Sequence, residues 1–108
     1  MIQRFGQLIR VRPECLEEYK RYHANIWPEN VQMMQEANIR NYSIYHKDGF
    51  LFAYLEYHGD DFKADMAKNK DHPMAIEWQR IMTAMQIPLE TRAPGEWWAA
   101  MEEVFHMD

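Results

Sequence analysis

The dipeptide Asp48-Gly49 stands between two runs that read as strands, Ile39 to His46 (IRNYSIYH) and Phe50 to Tyr57 (FLFAYLEY), and this constrains the chain more than any other feature. An Asp-Gly pair supplies the left-handed backbone that a tight hairpin needs, so the Lys47-Asp48-Gly49 turn folds the two runs together as antiparallel neighbours. The rest of the chain has to be arranged around that hairpin. Before it, Ile2 to Val11 (IQRFGQLIRV) mixes apolar and polar residues in near-alternation and predicts a strand. Pro13 suits a first helical turn, and Glu14, Glu17 and Glu18 place negative charge where a helix dipole favours it. Leu16, Tyr19, His23, Ile26 and Trp27 then recur at three- and four-residue steps, the spacing of an amphipathic helix. Pro28 should kink or break that helix, and a second helical run continues through Val31, Met34 and Ala37. Beyond the hairpin, Asp60 to Lys70 predicts a short charged helix, and Pro73 opens a better one with Met74, Trp78, Ile81, Met82 and Met85 as its buried stripe. Pro88 to Gly95 is a loop, and Trp97 to Met107 (WWAAMEEVFHM) predicts a final strand.

The order is therefore β-α-β-β-α-β, an α+β chain with the ferredoxin-like split arrangement and both helices on one face of an antiparallel sheet. A chain of 108 residues fits a single domain, residues 1–108. Phe50, Phe52 and Tyr54 alternate with Leu51, Ala53 and Leu55, and Trp98 and Val104 alternate with Trp97, Met101 and Phe105, so both sheet faces are apolar. Helices cover only one of them. With 14% aromatic residues, nine Met and four Trp in so small a chain, the other face predicts a second copy and hence a homodimer.

Charge and cysteine usage exclude several classes. A net charge of -5 provides no basic stripe to neutralise phosphates, which argues against a nucleic-acid partner. No apolar run approaches the ~20 residues of a membrane span, and the N-terminus lacks a signal-peptide core. The single cysteine, Cys15, cannot form an internal disulfide, which points to a reducing, cytoplasmic setting.

Tyr19, His23 and Trp27 fall at i, i+4 and i+8 and should stack along one face of the first helix. Such an aromatic stripe serves a core. A histidine within it serves a site equally well, because burying imidazole costs free energy unless both nitrogens find partners, and its ordinary titration near neutrality suits proton transfer both ways. Tyr42 and Tyr45 have opposite parity, so one of them should face the helices and meet this stripe. Tyr, Trp and His around one pocket suit a neutral polyhydroxylated ligand, whose hydroxyls are read by phenol and imidazole and whose C–H faces pack on indole. Trp78-Gln79 could add a stacking ring and an amide, with core filling and a solvated surface position as the plainer alternatives. His46, His58, His72 and His106 lack metal-ligand spacing, no Gly-rich phosphate loop is present, and Cys15 has no basic cluster to activate it, so no metal or cofactor is indicated.

The segment Glu17 to Glu29, EEYKRYHANIWPE, resembles the E-Y-x-x-x-H-x-x-I-W-P-E signature of L-rhamnose mutarotases. Asn41-Tyr42-Ser43-Ile44-Tyr45, Trp78 and the ending Glu102-Glu103-Val104-Phe105-His106 match in the same order, so the resemblance spans essentially the whole chain. It implies a dimeric α/β barrel of ferredoxin-like subunits that interconverts the α and β anomers of L-rhamnose without a cofactor. The family's proton donor maps onto His23, and its substrate contacts onto Tyr19, Tyr42 and the pair Trp78-Gln79. Some members carry Trp-Trp where this chain has Trp78-Gln79, so a second aromatic wall is missing.

Opening a pyranose needs a proton delivered to the ring oxygen and one removed from the anomeric hydroxyl. The aldehyde rotates about C1–C2, and reclosure reverses both transfers. A group titrating near neutrality supplies typically about 10²–10⁴-fold in such a step. Two rival expectations share the sequence features: a cofactor-free monooxygenase of the same barrel class, and a non-catalytic sugar-binding dimerisation module.

Overall fold

In a computed structural model describing residues 2–108, strand β1 (Gln3–Val11) has partners along both edges. β3 (Phe50–Tyr57) runs antiparallel along one edge, from Gln3 opposite Tyr57 to Arg10 opposite Phe50. The other edge is shared by β4 (Gln86–Ile87), opposite Arg10 and Val11, and β5 (Ala99–Met101), opposite Gly6 to Leu8. β2 (Ile39–Lys47) pairs only with β3, giving the order β2-β3-β1-β4. This is the ferredoxin-like α+β topology expected from the element order.

Alternation along β1 and β3 decides what is buried. Ile9, Val11, Leu51, Ala53 and Tyr57 share one face, and all are buried. Tyr19 from α1 (Leu16–Ala24) and Met82 and Met85 from α4 (Pro73–Met85) close over that face in one apolar cluster. The opposite face, with Phe52, Tyr54, Tyr45 and Met101, stays substantially open in a single chain.

Pro28 acts as expected. α1 ends at Ala24, Trp27 is extended (ψ 129°), and Pro28 takes the first turn of α2 (Pro28–Glu36), where its missing N–H costs nothing. Trp27 therefore lies beyond α1 rather than on it. α3 (Phe62–Ala67) is shorter than the charged run around it, and it starts at Asp61, whose side chain accepts from the Ala64 N–H.

Two features differ from expectation. The final strand covers only Ala99–Met101, not Trp97 to Met107. β1 starts at Gln3, so in this register little of it is left to pair beyond Met101, and Val104, Phe105 and Met107 stand at 86%, 77% and 77% exposure. The second is a β-bulge in β2. Arg40 lies opposite Glu56 but Ser43 lies opposite Tyr54, so one extra residue is inserted, with Asn41 in the left-handed region (φ 53°). The Asn41 amide ties the bulge down by donating to Glu56 Oε1 at 2.9 Å. The insertion reverses the parity of the rest of the strand, so that Ile44 lies opposite the buried Ala53 and Tyr45 opposite the outward Phe52.

At the far end of β3, a polar cluster fastens α3 and the end of α2 to the sheet. Tyr57 donates its hydroxyl to Asp65 Oδ2 and accepts from the Asp61 N–H at 2.9 Å. Asn38 donates to the same Asp65 oxygen at 3.1 Å, and Lys68 Nζ lies 3.0 Å from the other. A Cβ on Gly59 would collide with both the Tyr57 hydroxyl and the Asp65 carboxylate. The Tyr57 hydrogen bond, followed by those of Asn38 and Lys68, lowers the Asp65 pKa from 3.8 to about 2. A carboxyl whose folded pKa is depressed stabilises fully above its unfolded value, and that contribution disappears as pH falls through the folded one. Asp65→Asn should accordingly lower Tm at pH 7, with the gap to wild type closing between about pH 4 and pH 2. Thermal melts across that range test it, and a gap independent of pH would reject the assignment.

Candidate active site

A cleft of about 680 Å³ opens between α1, α2, the middle of α4 and the helix-facing side of β2. Its lining includes all five residues singled out from the sequence: Tyr19, His23, Tyr42, Trp78 and Gln79. α1 supplies Tyr19 and His23 one turn apart, and their rings stack at 4.4 Å between centroids with 29° between planes. Trp78, from α4, meets His23 edge-on at 5.5 Å and Trp27 at 5.2 Å. The expected Tyr19-His23-Trp27 stack is thus only partly continuous. Its first two rings stack, while Trp27 sits past the helix end and reaches the group through Trp78.

The β2 bulge decides which tyrosine faces the helices. Tyr42 directly precedes the outward-facing Ser43, which turns its ring toward α1, and it is near enough to Tyr19 to contribute to raising that phenol's pKa. Withdrawal of the Tyr42 hydroxyl from water raises its own pKa as well. Tyr45 also borders the cleft, but it belongs to the outward face and is 67% exposed. Gln79 is exposed on the cleft wall.

His23 is half-buried, and its Nδ1 lies 2.9 Å from the Tyr19 carbonyl oxygen. A carbonyl only accepts, so Nδ1 is the donor in that bond. Nε2 is therefore the ring atom left for chemistry, a lone pair in the neutral ring and a proton in the charged one. Tyr19 is 4% exposed, and burial pushes its phenol up to about 12, opposed in part by a hydrogen bond from Gln86. Its hydroxyl is thus protonated at neutral pH.

Two residues that the sequence reading passed over hold Tyr19. Gln86 Nε2 donates to the Tyr19 hydroxyl at 3.0 Å, and Trp97 Nε1 donates to Gln86 Oε1 at 2.8 Å. A glutamine just past a helix end carries no local signal of such a role. Among the described residues, no Asp or Glu lines the cleft, and no three His, Cys, Asp or Glu side chains gather as a metal site would require.

The family model for L-rhamnose mutarotase matches residues 4–107. The chain belongs to that family. An L-rhamnose mutarotase of Ligilactobacillus salivarius is 34% identical, with all of both chains aligned. One of Sinorhizobium fredii is 33% identical over 98% of this chain and 99% of the relative. A UPF0734 protein of Dictyostelium discoideum is 34% identical over 88% of this chain and 80% of its own length. Among solved structures, an L-rhamnose mutarotase of Formosa agariphila superposes with a TM-score of 0.74 at 22% identity, covering 98% of this chain and 99% of that one. Tetracenomycin F2 cyclase of Streptomyces glaucescens superposes with a TM-score of 0.71 at 13% identity, over 98% and 97% of the two chains. At such identities these structures establish the shared fold and nothing about chemistry.

The hydrogen bond to the Tyr19 carbonyl makes a spectroscopic prediction. In its neutral form, the His23 ring should carry its proton on Nδ1, visible in the ¹⁵N shifts and long-range couplings of the imidazole. An Nε2–H pattern would contradict the geometry.

Proposed function

We propose that the chain is an L-rhamnose mutarotase that interconverts the α and β anomers by cofactor-free acid/base opening and closing of the pyranose ring. The observation that carries this reading is the free Nε2 of His23, facing a cleft walled by Tyr19, Tyr42 and Trp78. Family membership supports it independently.

In this reading, the charged His23 ring delivers its Nε2 proton to the ring oxygen as the C1–O bond of the ring breaks. The anomeric hydroxyl loses its proton to water, directly or by relay through a tyrosine hydroxyl that gives up its own proton as it takes one, and the products are the open-chain aldehyde and a neutral imidazole. After rotation about C1–C2, the aldehyde oxygen takes up a proton while the ring hydroxyl returns its own to Nε2. Anomeric configuration changes and no atom is gained or lost. No carboxylate among the described residues lines the cleft, and its proton carriers are imidazole, phenol, the Lys20 ammonium and water. Tyr19 and Tyr42 offer hydroxyls to the sugar, Gln79 an amide, and Trp78 an apolar ring for its C–H face.

We further read the protein as a cytoplasmic homodimer. The bare sheet face around Phe52 and Tyr54, together with the exposed Val104, Phe105 and Met107, supports burial against a second copy. The lone Cys15 suits a reducing compartment, and no described helix is long and apolar enough to cross a membrane. Sedimentation should return twice the 13.1 kDa chain mass, and Phe52→Asp should shift it toward the single chain. A monomeric wild type would end the dimer reading.

Saturation transfer between the two anomeric protons of L-rhamnose tests the activity. Exchange should accelerate with the protein, and His23→Ala should lose about 10²–10⁴-fold of the acceleration while remaining folded. Full activity in folded His23→Ala would remove the histidine from the mechanism. No acceleration by wild type would remove the reaction.

A further inference from the structure

We propose that Gln86, itself oriented by Trp97, is a positioning residue that leaves the Tyr19 hydroxyl proton available to the sugar. The proposal builds on the mutarotase reading of the cleft. Neither Gln86 nor Trp97 lines the cleft, so any influence they have on the substrate passes through Tyr19.

The argument is one of hydrogen-bond polarity. An indole Nε1–H donates and cannot accept, so the Gln86 atom 2.8 Å from it must be the carbonyl oxygen. The amide nitrogen is then the atom that meets Tyr19, and it donates to the phenol oxygen at 3.0 Å. A phenol that accepts at that contact still has one O–H to give. Among the described residues, the Tyr19 hydroxyl makes no other hydrogen bond, and its ring borders the cleft. Gln86 is 3% and Tyr19 4% exposed, so bulk water does not compete for the link between them, while Trp97, at 36% exposure, anchors the amide from the rim. The backbone fixes Gln86 as well: it follows the last turn of α4 and opens β4, opposite Val11. Trp97 thus sets the amide, and the amide sets the phenol. Reversing the middle link would point the Tyr19 proton away from the substrate while changing almost no volume.

Gln86→Glu performs that reversal. The carboxylate still accepts from Trp97 but cannot donate to Tyr19, so the phenol donates to it. On acidification, the protonated carboxyl regains an O–H donor and restores the original polarity, and burial moves that protonation upward in pH. We expect kcat for anomer exchange to fall about tenfold or more at pH 8, with a smaller change in KM. The ratio of variant to wild-type kcat should then climb as the pH drops toward 5. A ratio near unity, or one that stays flat with pH, would overturn the proposal. Gln86→Met, which lacks the donor altogether, provides a second test if the glutamate variant fails to fold. It should lower kcat in the wild-type background and cause no further loss in Tyr19→Phe; equal losses in both backgrounds would show a merely structural role and overturn it. A wild type that does not speed exchange overturns the mutarotase reading and this role together. An active wild type with insensitive Gln86 variants overturns this role alone.

Discussion

Strand β1 is hydrogen-bonded along both edges, to β3 on one side and to β4 and β5 on the other, and the placement of nearly every other element follows from that. A strand paired on both sides can bury side chains only above and below the sheet, and its period of two sends Ile9 and Val11 one way and Leu8 and Arg10 the other. α1 and α4 then have a single face to cover, and the cleft is the space they leave between themselves and β2. Because β2 is bonded to β3 alone, it is the one long strand with an open edge, and it carries the tyrosine pair.

The cleft is assembled with little long-range support for its central group. His23 is oriented by a carbonyl of its own helix one turn back, so its tautomer is set by local geometry that forms with α1 itself. Tyr19 depends instead on partners far along the chain, Gln86 and Trp97, that arrive only when β4 is in place beside Val11. One member of the pair is thus prepared by secondary structure and the other by tertiary packing. Catalysis that rests on prearranged donors needs both.

Much of this architecture was legible in the residues. Asp48-Gly49 located the hairpin, Pro28 the helix break and Pro73 the start of α4, because each acts through local backbone sterics. Five cleft residues were visible, two in a Tyr-His stripe, one from a tyrosine pair of opposite parity and two in a Trp-Gln step, helped by the likeness to a known signature. What escaped was non-local. The apolar alternation after Met101 resembles a strand, yet one chain offers it too little partner. β4 is two residues long and exists only because β1 is there to pair with it. Gln86 is polar, sits beside a helix end and looks like surface, and only the folded chain shows it sealed behind Tyr19.

The β2 bulge has a consequence for how such a cleft can change over evolutionary time. Because β2 has one residue more than β3 between Arg40 and Ser43, the bulge that absorbs it decides which side of the sheet every later side chain of β2 occupies. Straightening the bulge with Asn41 retained would slip the hairpin by one residue and exchange the inward and outward sets downstream, turning Tyr45 toward the helices in place of Tyr42 and sending Ile44 out of the core. Ligand preference in this scaffold is therefore open to revision by a change of strand register as well as by a change of residue. The cost of such a revision falls on the hydrophobic core, which makes the bulge a setting that is difficult to alter by small steps.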